Sequence, residues 1–441
     1  MSVSLVVLSV CLFALVAGLA VKKQNLIQAT PSLIWFSLMT LPFIFEWRFF
    51  PSTPRTSQSI GMFLISTSLA LGDIAAIHIK QANKELKEFH DKSNMKFLYF
   101  LTALVLIIPI LHYFLAGSIP LINQYFGGFN PNQISNSREN FVKLLEVPYI
   151  LKILFNWVLT IFGPTCILWF YFKKKPFMAG ILFIWVLSYA SSSSADGQIV
   201  IFIWVLVFGF CIGSINQKNF SNRVVVGISL ALVLVISSGV LLGNAAVSQM
   251  TNCGVRAGSG FTPGDVLRSC TSENEITINP IIDKLGYRIF LTPIEVSNHW
   301  YDFFDGSPSE KRKFNDIFER QNSKKASNKV GVWAYTERFP QAYSRTINAN
   351  ASIDADASSL GGILWIFFVA LVLFLLRIIL CFSQRNEAIH VRIMEGIGLG
   401  LLAYLPNSAP LQAILVPQGL IVVIILLLYA RRDLWRSFII H

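Results

Sequence analysis

The chain has 441 residues, of which 54% are hydrophobic and only 14% are charged. Soluble domains typically carry about 25% charged residues, so the composition excludes a single soluble globular core. The formal net charge of +12 would suit a nucleic-acid-binding protein, but its distribution argues against one. Residues 245–358 hold 13 Lys/Arg and 13 Asp/Glu, so the excess positive charge lies in short connectors, where it sets membrane orientation.

Apolar runs of membrane-spanning length recur along the chain. A helix needs about 20 apolar residues to cross a hydrocarbon core of about 30 Å. The first run has no basic residue before it and is followed by Lys22 and Lys23, the reverse of a signal peptide, so we expect it to be retained. The sequence predicts an all-α polytopic membrane protein of about eleven spans, at 2–21, 31–49, 58–78, 97–117, 149–172, 177–193, 197–215, 223–243, 359–382, 391–406 and 411–430.

Basic residues mark every second connector. Clusters of lysine and arginine follow predicted spans 1, 3, 5, 7, 9 and 11, and such clusters are typical of cytoplasmic connectors. The pattern predicts an N-terminus outside and a C-terminus in the cytoplasm. The chain then divides into three parts: 1–244 with spans 1 to 8 and an outer loop at 118–148, a large and partly helical outer loop at 245–358, and 359–441 with spans 9 to 11 and a cytoplasmic tail.

Two local signals lie in the long loop. A Ser-Pro-Ser-Glu capping box at 307–310 predicts a helix over 308–321. Cys253 and Cys270 are expected to form a disulfide if the loop faces an oxidising compartment. No CxxC or His/Cys cluster is present in the sequence, so we expect neither a metal nor a cofactor.

Two carboxylates lie in or at the rim of predicted spans. Charged residues inside a membrane mark a functional hypothesis by default, and Asp73 and Asp196 qualify. We favour the other interpretation, in which both sit at helix ends near water. A coupled transporter would place carboxylates or broken helices at mid-membrane in related halves, and the sequence has no convincing internal repeat.

Two polar and aromatic stretches of the long loop lie next to predicted membrane boundaries. Arginine binds phosphate through a permanent, forked charge, Asn and Asp bind sugar hydroxyls, and aromatic rings stack on sugars. Taken singly, such residues are also explained by surface ion pairs or packing, as for His299 beside Trp300. The residues of these stretches that could form a site are Arg288, Glu295, His299, Trp300, Tyr301, Arg338, Tyr343, Arg345, Asn348, Asn350 and Asp356.

A family resemblance rests on these same stretches. Arg288-Ile289-Phe290 with Pro293, then Trp300-Tyr301 with Phe304, and Asn348 to Asp356 before Gly361-Gly362 resemble bacterial O-antigen polymerases of the Wzy type. The segment 117–121, with Arg138 downstream, also looks like that family's first outer loop. One departure is the turn before span 7, which reads Ser194-Ala195-Asp196-Gly197 where related polymerases often carry a lysine.

The resemblance implies a metal-independent membrane glycosyltransferase at the periplasmic face of the bacterial inner membrane. Its partners would be undecaprenyl-diphosphate-linked oligosaccharides and the lipid membrane, without nucleic acid, and whether a chain-length regulator also binds stays open. By this resemblance Arg138, Arg288, Arg338 and Arg345 would bind the diphosphate. His299, Glu295 or Asp356 would act as a base, and the sugar would contact Trp300, Tyr301, Tyr343, Asn348 and Asn350.

Two other functions compete with a polymerase. An O-antigen ligase uses the same donor and also has a large periplasmic loop with arginines and a histidine. A lipid-linked sugar flippase or another transporter would have shorter, more even loops and polar residues lining its spans. The 114 residues of the predicted loop at 245–358 favour the polymerase over a transporter, although a fold alone says little about function.

Overall fold

The chain is described here from a computed structural model. The residues that it describes are almost entirely helical, with no strand among them. They are 2–22, 26–41, 43, 56–78, 92–127, 133, 136–138, 140–141, 148–193, 196–214, 292–306, 329–330, 352–382, 389–403 and 419–430.

Within the described residues, fourteen helices are named in chain order. They are α1 Ser2–Lys22, α2 Thr30–Trp35, α3 Thr56–His78, α4 Lys92–Ala116, α5 Pro120–Tyr125, α6 Tyr149–Trp157, α7 Gly163–Phe172, α8 Pro176–Ser192, α9 Asp196–Ser214, α10 Thr292–Gly306, α11 Ile353–Gly361, α12 Ile363–Phe382, α13 Ile389–Ala403 and α14 Leu420–Ala430. Single π-helical turns, Phe36–Thr40 and Val158–Phe162, extend α2 and join α6 to α7.

The protein is membrane-embedded, as the composition predicts. Five helical stretches in the described residues are long and apolar enough to cross a membrane: Ser4–Lys22, Ser57–His78, Phe97–Ala116, Tyr149–Phe172 and Ile363–Leu380. They correspond to predicted spans 1, 3, 4, 5 and 9. Predicted spans 6 and 7 are shorter apolar helices, and α2, α13 and α14 cover parts of spans 2, 10 and 11. Predicted span 8 and the helix predicted at 308–321 lie outside the described residues.

The predicted start of span 9 is wrong. Residues 359–361 belong to α11, and the chain breaks at Gly362, whose φ of +67° is a conformation that glycine adopts without steric cost. The apolar α12 begins immediately after it. Hydropathy could not locate this break because Ser359, Leu360 and Gly361 carry no charge and run directly into the apolar residues of α12.

A proline inside α4 shows how the bundle satisfies its backbone. Pro109 has no N–H, so it cannot donate to the carbonyl of Val105, four residues earlier. The indole Nε1 of Trp185, in α8, donates to that carbonyl at 3.0 Å instead. An unpaired carbonyl in lipid would cost several kcal/mol, so this contact lets a proline sit within a spanning helix.

Close contacts fix the relative directions of neighbouring helices. In a parallel pair, the residue numbers of successive contacts increase along both helices. In an antiparallel pair, they increase along one helix and decrease along the other. The pairs α3/α12, α4/α8 and α7/α9 are parallel, and α4/α7 and α9/α13 are antiparallel. Strict alternation of the predicted spans requires these same five relations, whereas the sidedness of the bundle in the membrane stays a prediction.

Two glycines allow α3 and α12 to pack closely. A Cβ at Gly61 would lie 3.3 Å from Cδ1 of Ile366, and a Cβ at Gly72 would lie 2.5 Å from Cγ of Arg377. Each pair is eleven residues apart on its own helix, which is about three turns. The two helices therefore run side by side in the same direction, and both begin at the end of the bundle where α10 and α11 lie.

Candidate functional site

The end of the bundle at which α3 and α12 begin, called the loop end below, carries the candidate site. Helices α10 and α11 pack against each other there, and both contact α3. These are the two segments whose sequences carry the family resemblance. Their residues are more than 40 positions apart in the chain, so the fold and not sequence proximity brings them together.

Helix α10 is amphipathic, and one face of it is buried. The members of this face recur at helical spacing and pack with Val330 and Ala355 in a small core of their own. Exposure of the two large aromatic residues is only 1% each. The buried face consists of Val296, Ser297, Trp300, Tyr301 and Phe304.

A hydrogen-bonded cluster, the Asp354 anchor, ties α10 to α11. It consists of Ser297, Tyr301, Ser352 and Asp354. The Tyr301 hydroxyl donates to Oδ2 of Asp354 at 3.1 Å, and the Ser352 hydroxyl donates to Oδ1. The Ser352 hydroxyl proton is used in that bond, so Ser352 Oγ accepts from the Ser297 hydroxyl at 2.7 Å. Ser297 Oγ in turn accepts the backbone N–H of Ser352 at 3.3 Å. Such chains of donors polarise one another.

Burial raises the pKa of Asp354 above its ordinary value. Its side chain is completely buried, and removal from water penalises the charged form. Hydrogen bonds from Ser352, from Tyr301 and from the backbone N–H groups of residues 354 and 355 lower the pKa, but by less. The carboxylate also lies in the first turn of α11, where unpaired N–H groups favour negative charge. With both oxygens bonded, Asp354 is a structural anchor and not an available base.

Helix α3 contributes to the same end of the bundle. Gln58 donates through its amide to the Asn298 side chain, and a Cβ at Gly61 would lie 2.5 Å from the Tyr301 hydroxyl. Glycine at position 61 therefore makes room for the Tyr301–Asp354 hydrogen bond. Gln58 is buried, so this amide pair fixes the side of α10 that the Asp354 anchor leaves open.

The opposite face of α10, called the polar face below, is less buried than the packed face, although Nε2 of His299 is itself inaccessible to solvent. Asn298, His299 and Asp302 are half-buried and lie away from the packed aromatic residues by helical register. Glu295 precedes His299 by four residues, so the backbone places both positions on one side of α10. Imidazole and carboxylate groups are the side chains that most often take a proton from a hydroxyl group in enzymes.

Apart from Arg138, the predicted site residues fall into three groups. His299 lies on the polar face, and the position of Glu295 is on the same side of α10. Trp300 and Tyr301 are in the core, a placement in which neither ring offers a face to a sugar, and Asp356 is buried in α11 at 4% exposure. The third group lies outside the described residues: Arg288, Arg338, Tyr343, Arg345, Asn348, Asn350 and the cysteines Cys253 and Cys270.

Arg138 lies in the segment 118–148, which follows α4 and precedes α6 in the chain. It is half-buried, and its Nη2 donates to Oε1 of Gln124 at 3.4 Å. The neighbouring Ser137 accepts a hydrogen bond from the Asn123 amide at 3.1 Å. These two contacts hold the segment 136–141, called the Arg138 segment below, against α5.

Sequence reasoning missed several residues of the site. Gln58, Ser297 and Asp302 carried no signal beyond their polarity, whereas Asp354 lay within the quoted Asp-Ala-Asp stretch beside Asp356.

The favoured interpretation of Asp73 as a residue near water is wrong. Its side chain is completely buried and forms an ion pair with Arg377 in α12. The single arginine in the apolar run 363–382 indicated that a buried charge needs a partner, but not which residue that partner is.

No family model, curated protein or solved structure matches the chain.

Proposed function

We propose that this membrane protein is a glycosyltransferase that joins undecaprenyl-diphosphate-linked oligosaccharide repeat units at the periplasmic membrane surface. One observation carries the proposal. The two stretches that resemble O-antigen polymerases, around Trp300 and around Asp354, pack against each other at the loop end through the Tyr301–Asp354 hydrogen bond. The two stretches are thus adjacent although 53 positions separate Tyr301 from Asp354 in the chain.

In the proposed reaction, the terminal sugar hydroxyl of one lipid-linked glycan attacks the anomeric carbon of another. A new C–O bond forms, the bond from the anomeric carbon to the diphosphate oxygen breaks, and undecaprenyl diphosphate leaves with the electron pair. His299 on the polar face takes the hydroxyl proton, with Glu295 and Asp302 on the same side of α10. The diphosphate is a good leaving group, so the enzyme has mainly to position both substrates and stabilise developing charge.

Arginines would bind the diphosphate. Their guanidinium groups stay charged and donate to two phosphate oxygens at once. Arg138 is the member of the predicted set that the structure describes, and Arg288, Arg338 and Arg345 complete that set as sequence predictions. We expect R288A to abolish polymer while the protein is still made at normal levels. Normal ladders of polymer length from R288A would exclude its role.

The phenotype of a gene deletion tests the function. Cells without the polymerase should show lipid A core bearing a single repeat unit on a gel, whereas cells without an O-antigen ligase should show bare core. Loss of polymer with lipid-linked units retained on the cytoplasmic side of the membrane would favour a flippase. Bare core or impaired export would each overturn the proposal.

Complementation of the deletion then tests the polar face. H299A should reduce the amount of polymer about tenfold or more. Removal of a general base typically lowers the reaction rate by about 10²–10⁴-fold, and a good leaving group lessens that effect. H78A is the matched control, since His78 is exposed at the far end of α3 and, among the described contacts, bonds only the carbonyl of its own helix. Equal polymer from both variants would remove His299 from the mechanism.

A further inference from the structure

A histidine at the loop end of α4 contacts both a neighbouring helix and the Arg138 segment. The ring of His112 lies between those of Phe141, from the Arg138 segment, and Phe155, from α6, with ring centroids 4.2 Å apart in both cases. Nε2 of His112 lies 3.0 Å from the carbonyl oxygen of Phe141, and Nδ1 lies 2.6 Å from the hydroxyl of Tyr189 in α8.

These partners determine which nitrogen carries the proton. A carbonyl oxygen can only accept, so Nε2 of His112 is the donor to Phe141. In the neutral ring Nδ1 then has a free lone pair and accepts from the Tyr189 hydroxyl. Tyr189 in this way fixes the tautomer that binds the Phe141 backbone, as a second partner commonly does for functional histidines.

The bond from His112 ties the Arg138 segment to α4 through the backbone of Phe141. Phe141 is 2% exposed and lies three residues after Arg138, about one helical turn. At the other side of the segment, Ser137 and Arg138 are hydrogen-bonded to α5. The backbone that carries Arg138 is therefore held by α5 on one side and by His112, through Phe141, on the other.

We propose that His112 and Tyr189 form a clasp that positions Arg138 to bind the diphosphate of the lipid-linked donor. The assignment of the diphosphate rests on the proposed function, whereas the clasp itself rests on the contacts. His112 is a positioning residue, since it acts through the backbone of Phe141 and not on the substrate. Opening the clasp releases the Arg138 segment from α4 and α8.

Two substitutions separate the hydrogen bond from the ring packing. H112F keeps an aromatic ring between Phe141 and Phe155 but cannot donate, so the buried Phe141 carbonyl is left without its donor. H112Q loses the ring but places an amide nitrogen near the position of Nε2, from which it can still donate. Y189F removes the hydroxyl that holds the tautomer.

Cysteine labelling measures the clasp without any enzymatic assay. Ser137 is 7% exposed, so in purified full-length S137C a water-soluble maleimide should react slowly at that position, as quantified by peptide mass spectrometry. H112F should raise the labelling rate roughly tenfold, the effect of leaving a buried carbonyl unpaired, and H112Q should restore most of the protection. N136C is the control, because Asn136 is exposed and a cysteine there should react rapidly in every background.

Polymer formation measures the consequence for Arg138. H112F should lower the amount of polymer about as much as R138A does, H112Q should rescue it, and H112F/R138A should be no worse than R138A alone. Unchanged S137C labelling in both H112F and Y189F would overturn the clasp. Faster labelling with a normal amount of polymer would support the clasp but exclude Arg138 as a ligand of the diphosphate. In that case the role of Arg138 in the proposed function would fail, and the clasp would not.

Discussion

Arg377 donates through Nε to a carboxylate oxygen of Asp73 at 2.6 Å, and both side chains are completely buried between helices. The second Asp73 oxygen accepts the backbone N–H of Ser32 at 3.0 Å, in the first turn of α2. Nη2 of Arg377 donates to the carbonyl oxygen and the side-chain oxygen of Gln28, each at 2.8 Å. The ion pair thus joins α3 and α12 to the segment that begins α2.

This arrangement favours a structural role for the buried charges. Ionisable residues inside a membrane usually mark transport pathways, which would support the flippase alternative. Here Asp73 is neutralised by Arg377 and by the helix N-terminus that carries Ser32, and Gln28 accepts twice from Arg377. A pathway needs a charge that can change partners, whereas each of these groups is fixed by backbone or by the opposite charge.

The first prediction concerns the stability of this pair. D73N leaves Arg377 buried without a counter-charge, and we expect it to lower the free energy of unfolding by about 3–5 kcal/mol. The loss would be measured as an earlier transition in SDS-induced unfolding of the purified protein. D196N is the matched control, because Asp196 begins α9 and has no part in this pair.

Replacement of both partners should recover much of that loss. Apolar residues of similar volume commonly substitute for a buried ion pair at little cost, so D73L/R377M should unfold later than D73N. Equal transitions for D73N and the unmodified protein would show that the pair does not stabilise the bundle.

The second prediction concerns the carbonyl that Pro109 leaves unpaired. W185F removes the indole donor to the carbonyl of Val105. We expect the free energy of unfolding to fall by about 1–3 kcal/mol, the cost of a buried acceptor without a partner. P109A restores an N–H within reach of Val105 in α4, so W185F should cost less in the P109A background. The difference between the two backgrounds, measured by SDS-induced unfolding, isolates the hydrogen bond from the lost ring volume. An identical cost in both would assign the effect to packing.

The positions of the helices could be predicted from the sequence better than the side-chain contacts between them. Runs of apolar residues located most spans, because the bilayer imposes one length on all of them. The Arg377–Asp73 pair could not be predicted, since 304 positions separate its members and no local pattern records which polar residue faces which. The same holds for Tyr301 and Asp354. Trp300 and Tyr301 were expected at a sugar site because aromatic residues serve there, but amphipathic spacing along α10 was the stronger signal, and it indicates burial.

The third prediction concerns the path of the chain between α9 and α12. The short connector after α12 makes α13 antiparallel to it, and α9 is also antiparallel to α13, so α9 and α12 cross in the same direction. One further crossing between them is then expected, as the sequence predicts at 223–243. A fluorescent protein fused after Lys218 should fluoresce in the cytoplasm, and alkaline phosphatase fused after Met250 should be active outside it. Activity of both reporters on one side would contradict the crossing.

The fourth prediction follows from the raised pKa of Asp354. The folded protein binds this proton more tightly than the unfolded chain, whose pKa is near 3.8. Its contribution to stability is therefore fully present below the unfolded pKa and is lost as pH rises through the folded pKa. D354N does not titrate, so the melting temperature of the unmodified protein relative to D354N should fall as pH increases above the unfolded pKa near 3.8. A difference that is constant or grows with pH would contradict the assignment.

The fifth prediction uses the glycine beneath the Asp354 anchor. A Cβ at position 61 would lie 2.5 Å from the Tyr301 hydroxyl and 3.4 Å from Cβ of Asp354, so G61A must displace Tyr301 from its carboxylate partner. We expect the free energy of unfolding to fall by about 1–3 kcal/mol, as at other overpacked sites. The complemented deletion strain should also make less polymer. G180A is the matched control, because Gly180 is exposed in α8 and a Cβ there meets no atom within 4 Å.

The two readouts of G61A separate the anchor from general packing. Y301F removes the hydroxyl that a Cβ at position 61 would strike, so G61A should cost less in the Y301F background than in the unmodified protein. If G61A and G180A behave alike in SDS-induced unfolding and in polymer length, the contact between α3 and α10 does not hold the polar face in place, and His299 would have to be positioned by other parts of the loop.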